Sequence, residues 1–421
     1  MVNAVVGLNW GDEGKGRMVD YFAKSADCVI RYQGGDNAGH TVINEIGKFA
    51  FHNFPSGICY KKIINIIASG SVFNPESFLK EKKELEGCGL YPENIIISDR
   101  AILILPYHYQ LERLEEDRLK DKKYGSTMSG IAPTYSDKYL KKGVQVGELF
   151  YPEKLKEHLK DIVEYKNLIL KGCYNADPID YMEIYDYLMD YREELLPYIK
   201  NIQPIVRDLL KEGKKVIVEA QLGALRDITH GIYPMTTSSS VLAGYACASI
   251  PVPPKSINEI IGITKAYSTC VGEGAFTTEL FDDLGDQIRK VGKEYGAKTG
   301  RPRRVGYFDA VATRYGAQLQ NASSIVVTCL DVLSGIKELK ICTHYKNGEE
   351  ISEDFPMNSI LTESQAVYES LPGWDEDITE IRNFKDLPEN ARKYIERIEK
   401  LIGVTVEYIS VGPSRNALII R

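Results

Sequence analysis

Residues 5–16 read VVGLNWGDEGKG. The apolar run that feeds this stretch, VNAVVGL, begins at residue 2 and ends in glycines, two acids and Lys15. An amphipathic segment from Gly14 to Lys24 follows. The order is strand, glycine loop with a lysine, then helix. Such a loop cradles phosphate. Glycines let backbone N–H groups approach the anion, the helix N-terminus adds partial positive charge, and Lys15 adds a full one. The spacing is longer than G-x-x-x-x-G-K, and Gly16 stands where a Walker loop carries the hydroxyl that holds Mg²⁺. Asp12 is the nearest candidate for that metal.

Further along, strand-like runs appear at 28–31, 63–69, 94–98, 215–219, 259–264, 324–330 and 404–409. Helical periodicity falls between them, as at 76–86, 186–210 and 308–320. The alternation predicts an α/β fold with a mostly parallel central sheet flanked by helices. Several runs end in glycine- or acid-rich turns, namely Gly34-Gly35-Asp36-Asn37, Gly70-Ser71 and Asp331-Val332-Leu333. Ligands of open α/β sheets bind at such carboxyl ends. Residues 105–213, rich in Tyr, Lys and Glu, read as a mainly helical insertion within a single domain spanning 1–421.

The chain has 421 residues, 43% of them hydrophobic, and a net charge of −7. It can bury a large core. Without a Lys/Arg-rich block, nucleic acid is not expected as a partner. Any phosphate site must be made basic locally. The eight cysteines are scattered with no C-x-x-C, as in reduced, mostly buried thiols of a cytoplasmic protein. With a strand expected from residue 2, no signal peptide is expected, and no apolar run approaches the ~20 residues that span a membrane.

Five further regions carry chemistry. Arg31 to Thr41 reads RYQGGDNAGHT directly after a strand, offering the Asn37 amide, the Gly39 carbonyl and the His40 imidazole at a loop tip. Residues 125–133, GSTMSGIAP, with Lys138, Lys141 and Lys142 behind them, suit either a phosphate site or a solvated loop. The same alternative holds for Glu219–Asp227 and the hydroxyl run Thr236–Ser240. Gly296–Arg304 reads GAKTGRPRR, and its guanidinium groups predict binding of carboxylate or phosphate. Finally, Thr328-Cys329-Leu330-Asp331 resembles the base-reading T-K-x-D loop of guanine-nucleotide proteins, whose aspartate accepts from guanine N1–H and the 2-amino group.

Assembled in this order, the motifs resemble the adenylosuccinate synthetase family from Val5 to Gly412-Pro413. They include WGDEGKG, RYQGG-x-NAGHT, PSGI at 55–58, DI-x-HG-x-YP at 227–234, KAYST at 265–269, F-x-TELF at 276–281 and LPGW at 371–374. The resemblance implies a fold related to P-loop GTP-binding proteins. It implies ligation of L-aspartate to IMP with GTP and Mg²⁺, through a 6-phosphoryl-IMP intermediate, by a homodimer with a shared IMP site. By the same resemblance Asp12, Lys15 and His40 would be catalytic. GTP would meet Gly11, Glu13, Gly14, Lys15, Gly16, Gly39, His40 and Thr41, with Asp331, Ser410, Gly412 and Pro413 around guanine. IMP would meet Asp12, Asn37, Thr127, Gln221, Leu222, Thr237 and Arg301, with Lys141 reaching in from a partner subunit. Lys298, Thr299, Arg301 and Arg303 would hold aspartate. Asp12 and the Gly39 carbonyl would ligate the metal.

The sequence departs from the family pattern at several of these positions. Leu222 stands where the family places an IMP-facing glutamine, with Gln221 one place early. Met128 and Ser129 replace Gly-Arg, Lys298 replaces a threonine, and Cys329 replaces the lysine of T-K-x-D. Lys141 replaces an arginine, and Cys270 replaces the arginine after KAYST. Two other readings therefore stand beside the first: a divergent paralogue joining another amino acid or purine nucleotide, and a catalytically silent GTP-binding regulatory protein.

Overall fold

The apolar runs become parallel strands because both faces of the sheet are covered, so alternation is not required of them. The computed structural model describes residues 1–296 and 300–421. Its central sheet contains β1 (Val2–Gly7), β2 (Cys28–Arg31), β3 (Ile64–Ile67), β4 (Ile95–Ser98), β5 (Ile199–Lys200), β6 (Val216–Gly223), β7 (Ile257–Lys265), β8 (Ser324–Thr328), β9 (Val406–Ser410) and β10 (Leu418–Ile420). Their order across the sheet is β10-β9-β8-β7-β1-β6-β2-β3-β4-β5. All neighbours are parallel except β9 and β10. Because β1, β2, β6, β7, β8 and β9 run the same way, the loops that follow them gather along one edge.

Helix α1 (Lys15–Ala23) starts after Gly14 and buries Met18 and Val19 against Val5, Val29 and Ile263. The helices between 105 and 213 are α2 (Pro106–Leu119), α3 (Ile131–Leu140), α4 (Pro152–Tyr174), α5 (Tyr181–Leu195) and α6 (Ile202–Lys211). One apolar cluster joins Ile67 and Ile97 of the sheet to Leu159, Ile184 and Leu188 of these helices.

Periodicity predicted one helix over 186–210, but the chain breaks there. A short turn at Leu196–Tyr198 contains Pro197, and β5 pairs with β4 before α6 begins. Proline cannot continue the ladder of helical bonds, and the Asn201 side chain caps the new helix by accepting from Gln203 N at 3.0 Å. The helix expected from 308 starts at Ala310, because Asp309 caps it and Phe308–Asp309 pairs with a second sheet. That sheet was not anticipated. It is built from Ile336–Asn347, Glu350–Ser352 and Gln365–Trp374, and LPGW ends its longest hairpin. The β6 strand runs to Gly223, four residues past its predicted end, and carries Gln221 and Leu222 to the loop edge. Of the thiols expected to be mostly buried, Cys28, Cys59, Cys270 and Cys342 are buried and Cys247 and Cys329 partly so, while Cys88 and Cys173 are exposed.

Candidate active site

The loops at the carboxyl edge enclose a cavity of about 740 Å³, within the range usual for small-molecule sites. Asp12, Gly14, Lys15 and Gly16 line it from the first loop. Asn37, Gly39, His40 and Thr41 line it from the second, and Thr127, Gln221, Leu222, Thr237 and Arg303 line it as well, whereas Gly11, Glu13, Lys141, Arg301 and the predicted guanine residues do not. The motifs that sequence spacing left far apart are thus brought to one space.

The first loop is shaped from within by Glu13. Its buried carboxylate accepts from Asn9 N at 3.1 Å, from Gly11 N at 2.8 Å and from Lys15 Nζ at 2.5 Å. A Cβ on Gly223 would lie 2.2 Å from Glu13 Oε1, so only glycine at the end of β6 lets this acid turn inward. The Glu13 side chain therefore organises the loop, and Lys15 is held by an ion pair from which a phosphate would draw it.

Asp12 has a positive φ of 59°, which projects its side chain from the loop into the cavity. Its Oδ2 lies 3.1 Å from Arg303 Nε. Arg303 also binds buried Glu294 at 2.6 Å, and Glu294 accepts from Lys265 Nζ and Tyr267 OH, each at 2.6 Å. Burial pushes Glu294 up, but Lys265 and Arg303 outweigh it and hold the carboxyl below its usual range. Arg303, expected to hold aspartate, is thus also the partner of Asp12.

His40 packs over α1. A Cβ on Gly16 would come within 2.6 Å of His40 Cβ, so glycine is required for that approach. His40 Nδ1 is hydrogen-bonded to Glu219, whose carboxylate also accepts from Ser56 N at 2.8 Å and Ser56 Oγ at 2.6 Å. Burial raises the Glu219 pKa, but His40, Arg31 and Ser56 together hold it below the usual carboxylate range. Burial lowers His40 against the pull of Glu219. A charged carboxylate only accepts, so Nδ1 carries the proton and Nε2 is left for the reacting group. Sequence reading quoted Glu219 at a strand end but gave it no role, since its partner lies 179 positions away.

Gln221 Nε2 donates to Asn37 Oδ1 at 2.5 Å, while Arg31 Nη2 donates to Gln221 Oε1 at 3.3 Å. Leu222, at φ 63°, lines the cavity beside Gln221. Thr127 sits in a loop whose backbone amides at Tyr124, Gly125 and Ser126 donate to Glu116. Arg226, another residue without a predicted role, lines the cavity next to Thr237.

The predicted guanine residues form a second group, behind α1. Thr328 Oγ1 donates to Glu13 O at 2.7 Å, tying that loop to the first. Arg17 donates to Ser410 Oγ, to Ser414 O at 2.7 Å and to Ala417 O at 2.8 Å, and Ser410 Oγ donates to Gly412 O at 3.1 Å. Burial raises the Asp331 carboxyl and the Cys329 thiol, while the Arg17 charge lowers Asp331. Pro413 is exposed. Lys141 ends α3 with a positive φ of 61° and is exposed; it does not itself line this chain's cavity, although its neighbour Leu140 does. Arg301 is exposed, and Lys298 and Thr299 lie outside the described residues.

Among the described residues, no group of three or more His, Cys, Asp or Glu side chains could hold a metal. Asp12 and Gly39 do face the same cavity. One carboxylate and one carbonyl suit Mg²⁺, which takes few protein ligands and completes its shell with water and substrate phosphate. No helix among the described residues is long and apolar enough to cross a membrane.

The family model described as adenylosuccinate synthetase matches residues 4–419. An adenylosuccinate synthetase of Dehalococcoides mccartyi is 46% identical over 421 residues, covering 100% of both chains. That of Clostridioides difficile is 45% identical over 420 residues, covering 99% of this chain and 98% of its own. The solved structure of fully ligated adenylosuccinate synthetase from Plasmodium falciparum superposes with a TM-score of 0.93 at 34% identity, covering 100% of this chain and 99% of that one.

Proposed function

This chain belongs to the adenylosuccinate synthetase family, a C–N ligase of purine biosynthesis that joins L-aspartate to IMP with GTP, and we propose how its residues divide that work. Asp12 takes the N1 proton of IMP. The electron pair moves to O6, which attacks the γ-phosphorus of GTP as the bond to GDP breaks. The aspartate amine then displaces phosphate from C6. The observation that carries this reading is the convergence of Asp12, Lys15 and His40 on one cavity, with His40 fixed by Glu219.

Lys15 and the Gly11–Gly16 amides hold the transferred group in line, and His40 in its doubly protonated form, its charge balanced by Glu219, donates to it from Nε2. Catalysis of this kind is mainly positioning and charge stabilisation. Mg²⁺, held by Asp12 and the Gly39 carbonyl, would supply neutralisation of phosphate charge. Glu13 offers GTP its backbone, with Gly14, Gly39 and Thr41 beside it, while its side chain shapes the loop. Asn37, Thr127 and Thr237 receive the IMP phosphate, and Gln221 and Leu222 border the nucleotide.

Lys141, exposed on this chain, reaches the IMP site of a second copy in a homodimer. Arg301 and Arg303 hold the aspartate carboxylates with Thr299 and Lys298, and Arg301 also meets IMP. Arg303 moves between Asp12 and substrate. Asp331, Ser410, Gly412 and Pro413 frame guanine. Residues 105–213 form an insertion in one domain, in keeping with the apolar cluster they share with the sheet. The enzyme works in the cytoplasm, in keeping with its free cysteines.

Incubating the pure protein with IMP, GTP, Mg²⁺ and aspartate tests the reading. Formation of adenylosuccinate with one GDP per product is expected. GTP hydrolysis without ligation, or ligation of another amino acid in preference to aspartate, would overturn it.

A further inference from the structure

Arg226 makes an unusual set of contacts. It follows β6 in a short turn, and the residue is only 7% exposed. Nη1 donates to Met235 O and, at 3.1 Å, to Glu273 O. Nη2 donates to Val271 O at 2.6 Å and to Cys270 Sγ at 3.0 Å. Its own carbonyl accepts from Thr237 N at 2.9 Å. One side chain therefore ties together the loop that carries Thr237 and the loop 270–274. A Cβ on Gly125 would lie 3.7 Å from Gly272 Cα, so the loop of Thr127 rests on the same support.

The charge is as informative as the geometry. Every hydrogen bond given by this buried cation goes to a carbonyl or a thiol, and among the described residues no carboxylate is ion-paired with it. Meanwhile Asn37, Thr127 and Thr237 are neutral, in a protein of net charge −7. A fixed cation in a low-dielectric wall attracts an anion more strongly than the same charge in water. The family pattern places an arginine at 270, where this chain has Cys270. The Arg226 guanidinium lies against that thiol.

We propose that Arg226 is a positioning residue for the IMP phosphate: its guanidinium replaces the cation missing at Cys270 and braces the Thr237, Val271–Gly274 and Thr127 loops. The inference rests on the placement of IMP given above.

Calorimetry with IMP and with inosine, beside steady-state kinetics, tests it. Arg226→Leu should weaken IMP by at least about tenfold, the size of one charge-assisted contact. Inosine binding, the KM for GTP and kcat should stay within about threefold, as for a change that leaves the rest of the site intact. Arg226→Lys should be intermediate. The double variant Arg226→Leu with Cys270→Arg should recover most of the loss, which also serves if the single variant folds poorly. Equal weakening of IMP and inosine, an unchanged IMP affinity, or no recovery in the double variant would each overturn the proposal. Thr237→Val separates this from the site reading. If it weakens IMP while Arg226→Leu does not, only Arg226 is misassigned; if neither does, the IMP placement falls.

Discussion

At the Gly11–Gly16 end of the cavity the cations face carboxylates, Lys15 on Glu13 and Arg303 on Asp12 and Glu294. At the Thr127–Thr237 end the carboxylates of Glu112 and Glu116 accept from backbone amides and the Ser126 hydroxyl and pair with no cation among the described residues, and the buried guanidinium of Arg226 rests on carbonyls and a thiol. Substrates at the first end must exchange existing ion pairs, so changes there should strike the chemical step. At the second end the phosphate makes new contacts, so changes there should strike IMP affinity.

Asp12→Asn should have the largest effect. It removes the base and a metal ligand from a loop side chain that adds little to the core. Turnover should fall at least ~10²-fold with the melting temperature nearly unchanged; near wild-type turnover would remove Asp12 from its role. Glu219→Gln comes next. Losing the charged partner of His40 should lower kcat by about tenfold or more. Burial already lowers the imidazole and Glu219 raises it. Without that charge the protonated form requires lower pH, so the activity profile should move toward acid. A profile unmoved in Glu219→Gln would mean that His40 does not donate in the reaction.

Lys141→Ala sharpens the contrast at the other end. The KM for IMP should rise by about tenfold, with little change for GTP. Mixing this variant with Asp12→Asn should restore some activity, because the defects lie on different chains of a shared site. No recovery after verified subunit exchange would count against sharing. The smallest effect is expected at the guanine group. Asp331 should keep the order GTP > ITP > ATP in kcat/KM, since a wrong base leaves its polar groups unpaired. Cys329→Lys should improve GTP use modestly. ATP turnover equal to that with GTP would show that Asp331 does not read the base.

The sheet was legible because strands buried on both faces leave continuous apolar runs, as in Ile95–Ser98. The phosphate loop was legible because glycines and charge are concentrated in few residues. The second sheet was not, since Gln365–Trp374 mixes polar and apolar residues at exposed and half-buried positions, has no long continuous apolar run and contains Pro372. Its pairing with Ile336–Asn347 is a long-range choice that local pattern does not carry. Glu219 and Arg226 were quoted in the sequence reading but given no part in the site. Each acts through a loop distant in sequence, Ser56 and His40 for one and Cys270–Gly274 for the other. Arg303 was read for its charge, but its ion pair with Asp12 emerged only from the fold.

The central claim is that Asp12 drives phosphoryl transfer to IMP before aspartate reacts. GTP labelled with ¹⁸O at the β,γ-bridge tests it directly. With IMP and Mg²⁺ but no aspartate, the wild-type protein should scramble the label into the non-bridging β positions, and Asp12→Asn should not. Scrambling that appears only when aspartate is added, or that survives Asp12→Asn undiminished, would contradict the account.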